Sequence, residues 1–301
     1  MVMQWASAVP ATAAGVGAVQ PHRQGRADAR RRLLLPHVAE ADRLLREWLP
    51  DQAGTRSLEQ WLVSPGVRGC HGDDPGRHAV DIVPARWAAV AGHHWPGGLG
   101  TGHAPAALSR RHLFDLAAAR VEGSWIPLLF ATYAWGHGTS GYGPARLRKI
   151  LENNDLTDID RSLDDAVDAL RTDGAAAAYG VLNRRVRYLG PAFFTKFLYA
   201  AGEGLGVDGP RPLILDQRVA ASLRALTTTL NRSANLSPDL PAWLWTNSGW
   251  SLHRYDQYVT FAHRLSRHLH GTVDGWPDRA DLIELALFDK HLRDRLWGAD
   301  T

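Results

Sequence analysis

The sequence predicts an all-α fold: a compact bundle of about ten short helices behind an irregular N-terminal third. Three observations carry this expectation. From Arg110 onward, apolar residues recur at the three- and four-residue spacing of amphipathic helices. Alternating stretches of strand type are nearly absent, and no internal repeat is visible. Residues 64–108 are crowded with glycine, proline and histidine, a composition of loops.

Taken in order, residues 1–30 are small, Gly- and Ala-containing and then Arg-rich, a composition expected to be disordered. Arg30, Arg31 and Arg32 read either as a solvated charge run or as a phosphate contact. Leu33, Leu34, Val38, Ala41, Leu44, Leu45 and Trp48 repeat at helical spacing over 33–49, and 58–63 adds a helical turn. Within 64–108 one helix is expected, at 84–91. His71, His78, His93, His94 and His103 match no standard ligand spacing, so no metal is expected. Further helices are expected over 110–120, 124–135, 144–153, 161–171, 174–188, 191–202, 216–231, 239–246, 251–270 and 278–296. The chain thus divides into a disordered segment 1–30, a helical and irregular region 31–109, and a helical domain 110–301.

Bulk properties set limits on function. The 301 residues are 45% apolar and 22% charged, ordinary for a soluble globular protein. A net charge of +3 permits a nucleic-acid partner without requiring one. Cys70 is the single cysteine, which excludes an internal disulfide and any four-cysteine metal cluster. A reducing cytoplasm is the expected setting, with the chain a monomer. No run of eighteen apolar residues exists, so no membrane span is expected. No signal peptide is expected either, because the start lacks a basic region. Only three of the 34 basic residues are lysines (Lys149, Lys196 and Lys290). In an arginine-biased chain, a retained lysine is a candidate for chemistry that arginine cannot perform, since arginine stays protonated.

Two stretches carry candidate chemistry. Gly136-His137-Gly138-Thr139-Ser140-Gly141-Tyr142-Gly143 places four glycines in eight residues after an apolar helix. It reads either as a flexible connection or as a backbone that something approaches closely, with His137 and Tyr142 offering polar groups to a ligand. The second stretch, 186–223, reads as helix, tight turn at Gly190, helix from Pro191, short loop, and a helix opened by Asp216. Unpaired N–H groups at the Pro191 helix start suit a phosphate, and Arg184, Arg185 and Arg187 add positive charge. Lys196 falls in the first two turns of that helix. As a neutral amine it could attack a carbon of aldehyde or oxocarbenium character. Asp216 is placed both to cap its helix and to stabilise positive charge or move protons.

Lys196, the turn before it, and Asp216 twenty residues later after an apolar stretch resemble the helix-hairpin-helix DNA glycosylase superfamily. Within it, the chain is most similar to the 8-oxoguanine glycosylase branch. The resemblance implies a two-lobed all-α fold that binds double-stranded DNA, with a modified base flipped out. It implies no cofactor. It makes Lys196 the Schiff-base nucleophile and Asp216 the essential carboxylate of a bifunctional glycosylase and AP lyase. An oxidised purine is the expected substrate, in base excision repair or in defence against modified phage DNA. Gly190, Ala192, Arg187, Thr195 and Arg218 are the expected DNA contacts. His137, Tyr142, Tyr255 and Tyr258 are the candidates for the base pocket. Trp243, Trp245 and Trp250 read either as core or as stacking residues, and Arg254, His263, Arg264, Arg267 and His268 as a phosphate-facing surface. The chain departs from the family in having Gly190-Pro191-Ala192 where two glycines flank one residue. It also lacks the iron–sulfur cysteines of related branches and an evident N-terminal β-domain. A non-enzymatic DNA-binding protein built on the same hairpin is the alternative.

Overall fold

The computed structural model describes residues 21–120 and 123–298, with side chains described from Leu34 onward. The described residues open with helix α1 (Pro21–Glu47), α2 (Gln52–Leu62) and the short α3 (Pro65–Cys70). Asp51 and Ser64 cap α2 and α3 by accepting the otherwise unpaired N–H groups of Gly54 and Val67. Strand β1 (Ala79–Ile82), helix α4 (Pro84–Ala91) and strand β2 (Ala106–Ser109) follow. Ser109 ends β2 and caps α5 (Arg110–Ala118). Then come α6 (Ile126–His137), α7 (Tyr142–Glu152), α8 (Leu156–Asp173), α9 (Ala175–Leu182) and α10 (Pro191–Leu205). Helices α11 (Gln217–Ser233), α12 (Leu240–Leu244), α13 (Leu252–Thr272), α14 (Ala280–Phe288) and α15 (Lys290–Trp297) complete the fold.

Among the described residues the fold is all-α apart from one small sheet. The sequence reading missed that sheet, in which β1 and β2 pair antiparallel with Ala79 opposite Ser109 and Ile82 opposite Ala106. Each strand is four residues long, too short to register a two-residue period. It fastens the middle of the Gly- and His-rich region to its end and buries Ile82 and Leu108. Residues 21–30, part of the segment expected to be disordered, lie in α1. The side chains of Arg30, Arg31 and Arg32 and the segment 1–20 lie outside the described residues. Residues 278–296 form two helices rather than one. Asp289 breaks the run with extended backbone and caps α15 through His291 N and Leu292 N.

Helix α10 sits at the centre. It packs against α5, α6, α8 and α9. Its close approaches are made by glycines. A Cβ at Gly204 would stand 2.4 Å from the Phe114 carbonyl oxygen of α5, and one at Gly202 would stand 2.7 Å from Pro212. Helix α6 is buried on almost every side from Ile126 to Trp135, which explains its uniformly apolar sequence. Helices α13 and α1 are joined by a buried ion pair, with Arg254 donating two hydrogen bonds to Asp42. Gly204→Ala is therefore expected to destabilise the protein by about 1–3 kcal/mol through overpacking of α10 on α5. A thermal melt indistinguishable from wild type would show that this contact yields freely.

Candidate active site

The connection from α9 to α10 differs from the expected tight turn. Helix α9 ends at Leu182, so the loop runs over residues 183–190 and Arg187 is not helical. Arg184 and Tyr188 hold positive φ of 65° and 67°, a left-handed conformation uncommon outside glycine. Gly190 itself is extended, with φ −86°, and serves as the N-cap position of α10 rather than as a left-handed turn. Buried Val186 and Leu189 anchor the loop. Asn154, after α7, pins it further: its amide donates to the Arg187 carbonyl at 3.1 Å and accepts from Arg187 N at 2.9 Å.

This loop presents Lys196 just inside α10. Asp216, at the N-cap of α11, is brought alongside it. Lys196 Nζ lies 3.7 Å from Asp216 Oδ2, with the two side chains 7% and 18% exposed. The amine also donates a 2.7 Å hydrogen bond to the Ala192 carbonyl, one turn back. Asp216 divides its work between its two oxygens. Oδ1 accepts from Arg218 N at 2.9 Å and Val219 N at 3.2 Å, leaving Oδ2 for the amine. Burial pushes the Lys196 amine below its ordinary pKa of 10.5, against the opposing pull of Asp216 and Glu284.

An aromatic wall supports the amine on the α6 side. His137 stacks on Phe193 at 4.5 Å and 8°, Tyr133 packs on both, and Lys196 Nζ stands 5.6 Å from the Phe193 ring centre. Gly136 makes the approach possible, since a Cβ there would lie 3.0 Å from Lys196 Cδ and 3.2 Å from Phe193. Of the two readings of the glycine-rich stretch, Gly136 thus supports close approach, here by the lysine stem. Burial holds His137 below its ordinary pKa, and its Nδ1 lies 3.0 Å from the Tyr133 carbonyl oxygen. Tyr142, 66% exposed at the start of α7, projects outward with Arg146 over its ring.

Several expected roles change. Thr195 is fully buried, so it is a brace rather than a DNA contact: its hydroxyl donates to the Pro191 carbonyl and accepts from Leu215 N, tying α10 to the segment before Asp216. Tyr255 and Tyr258 are fully buried too, so they do not line an open base pocket. Their hydroxyls donate to the Leu213 and Ile214 carbonyls and hold the same segment from the other side. Trp245 and Trp250 are core residues, while Trp243 is exposed. Arg254 is buried against Asp42, which removes it from the expected phosphate-facing surface, while His263 and Arg264 are half-buried and bonded to the Arg211 and Trp48 carbonyls. Arg267 is exposed.

Two recesses flank the helix starts. One, of about 620 Å³, is lined by Arg146, Arg184, Arg187, Tyr188, Gly190 and Trp250. The other, of about 380 Å³, is lined by Trp61, His71, His78, Arg218 and Phe288, with Arg218 lying 4.7 Å from the Phe288 ring centre. His71 and His78, whose spacing in the sequence matches no standard ligand pattern, come together here with ring centres 6.1 Å apart. Burial, with Arg110 and His71 nearby, lowers the His78 pKa to about 3. Among the described residues, no group of three or more His, Cys, Asp or Glu side chains is placed to hold a metal ion.

The double role of Asp216 can be separated by substitution. Asp216→Asn retains a good capping residue while removing the charge that faces Lys196. Asp216→Ala removes both and is expected to be less stable than Asp216→Asn by about 1 kcal/mol, the share of the cap. Equal losses in denaturant titrations would contradict the capping geometry.

No curated protein and no solved structure matches the chain. A protein-family model does match, over residues 73–288, which is well over half of the chain and includes both Lys196 and Asp216. Its description is "Putative 8-oxoguanine DNA glycosylase OGG-like protein", and the chain belongs to this OGG-like family.

Proposed function

We propose that the protein is a DNA glycosylase with AP lyase activity, acting through a Schiff base on Lys196. The observation that carries this reading is the buried amine of Lys196 set 3.7 Å from the Asp216 carboxylate, at the starts of two neighbouring helices. A neutral amine is a nucleophile and an ammonium is not, so lowering its proton affinity is the first requirement of the chemistry. Lys196 Nζ would attack C1′ of the deoxyribose as the C1′–N bond to the base breaks. Asp216 would stabilise the positive charge that develops on the sugar and assist proton transfer. Opening of the sugar ring gives the protonated imine. Loss of a C2′ proton and departure of the 3′ phosphate then nick the strand.

Double-stranded DNA is the partner this chemistry needs, and the recess beside α10 suits its backbone. Arg146, Arg184 and Arg187 line it, and guanidinium groups there would position phosphates without reading sequence. Extracting a base from the stack costs a few kcal/mol, least for a damaged base, which favours a modified nucleotide as substrate. An oxidised purine of the 8-oxoguanine kind follows the family description. Repair of the cell's own DNA and attack on modified phage DNA would use the same residues. Tyr142, exposed beside Arg146, would meet DNA bound along this basic recess.

The test is borohydride trapping on duplexes carrying 8-oxoguanine, other modified bases or an abasic site. A covalent protein–DNA adduct is expected with wild type and is expected to vanish in Lys196→Gln. Asp216→Asn is expected to slow base release by at least about a hundredfold, the scale on which a positioned acid–base group acts. Salt-sensitive DNA binding with neither adduct nor base release would instead identify a non-enzymatic DNA-binding protein.

A further inference from the structure

Beneath the Lys196 face of α10 lies a second pair of opposite charges. Arg110 opens α5 and Glu284 lies inside α14; the side chains are each 1% exposed. The guanidinium grips the carboxylate with two hydrogen bonds, Nη1 to Oε2 at 2.7 Å and Nη2 to Oε1 at 3.1 Å. The same Nη1 donates to the Tyr199 hydroxyl at 3.2 Å, and Tyr199 donates in turn to Asp281 Oδ2 at 2.8 Å. Tyr199 stands three residues beyond Lys196 on α10, so the two side chains share one face of that helix. The pair is thus fixed to the face that carries the amine. A buried ion pair is an uncertain source of stability, because desolvation offsets attraction, so stability alone does not explain its presence.

We infer that Arg110 and Glu284 form a positioning pair for Lys196, in which Arg110 cancels the Glu284 charge and leaves Asp216 as the uncompensated carboxylate facing the amine. The inference rests on the reading of Lys196 as nucleophile. The surroundings of α10 agree with it. From α6 comes His137, which burial holds neutral-favouring, and from α7 comes Arg146, 6.0 Å from the Phe193 ring centre. From α8, Asp160 and Asp164 are engaged by Trp125 and Arg120. From α9, the Tyr179 hydroxyl donates to the Trp250 carbonyl. On α14, Asp281 is paired with Arg279. On α13, the Tyr258 hydroxyl is bound to the Ile214 carbonyl. Burial raises the proton affinity of Glu284, and Arg110, bound to both carboxylate oxygens, opposes that rise. Glu284 favours the proton on Lys196, and Arg110 favours its release.

The signs give the test. The readout is single-turnover nicking at an abasic site as a function of pH, whose acid limb reports deprotonation of Lys196. Glu284→Gln leaves Arg110 uncompensated, so the limb is expected to move to lower pH by about half a unit, about threefold in rate on that limb. Arg110→Met is expected to move it the other way. Replacing both together, Arg110→Met with Glu284→Met, removes both charges at similar volume and is expected to return the limb to the wild-type position. If Arg110→Met alone fails to fold, Glu284→Gln and the double variant decide the matter. Folded variants whose acid limbs coincide with wild type would overturn the inference while leaving the lysine chemistry intact. A double variant displaced as far as Glu284→Gln would overturn it equally. A wild-type protein that neither nicks nor traps abasic DNA would instead remove the nucleophile reading, and the inference with it.

Discussion

The site depends on one electrostatic compromise: an amine buried deeply enough to lose proton affinity, yet near enough to a carboxylate to stay in place. Lys196 has a single carbonyl partner at Ala192 and a carboxylate at 3.7 Å, longer than a tight ion pair. A closer carboxylate would hold the proton on the amine. A distant one would leave a buried cation uncompensated, which costs several kcal/mol. The intermediate separation follows from Asp216 being held by its own helix. Its Oδ1 is occupied by Arg218 N and Val219 N, so the cap fixes where Oδ2 can stand.

Much of the surrounding structure serves to hold those two helix starts together. Thr195 ties α10 to Leu215, while Tyr255 and Tyr258 hold Leu213 and Ile214 from behind. The backbone leading into Asp216 is therefore gripped from both sides. Gly136, Gly202 and Gly204 let α6, Pro212 and α5 approach α10 more closely than side chains would allow. The left-handed residues Arg184 and Tyr188 shape the loop beside the basic recess, where backbone strain is tolerated because Val186, Leu189 and Asn154 hold the loop down.

The helical plan was legible in the sequence because helical spacing survives over ten or more residues. The 84–91 helix and the start of α10 at Pro191 were found where the structure has them. The end of α9 was not, since Arg184 and Tyr188 adopt left-handed backbone that no local residue preference signals. Lys196 and Asp216 stood out by lysine scarcity and by family resemblance, and the fold places them together. The misread residues share one cause. Tyr255, Tyr258, Thr195 and Arg254 are polar or amphipathic, and sequence alone does not reveal whether a hydroxyl or guanidinium meets solvent or a buried partner. Arg110 and Glu284 lie 174 residues apart and carried no local signal at all.

The proton on one amine decides the proposed chemistry, and with three lysines in the chain it is directly observable. In protein labelled with carbon-13 at lysine Cε, three side-chain resonances can be followed through a pH titration. Lys196→Arg identifies the resonance of the buried amine by removing it. This resonance is expected to titrate below the other two, and Asp216→Asn is expected to lower its midpoint further. Three resonances that titrate together near the ordinary lysine value would contradict it.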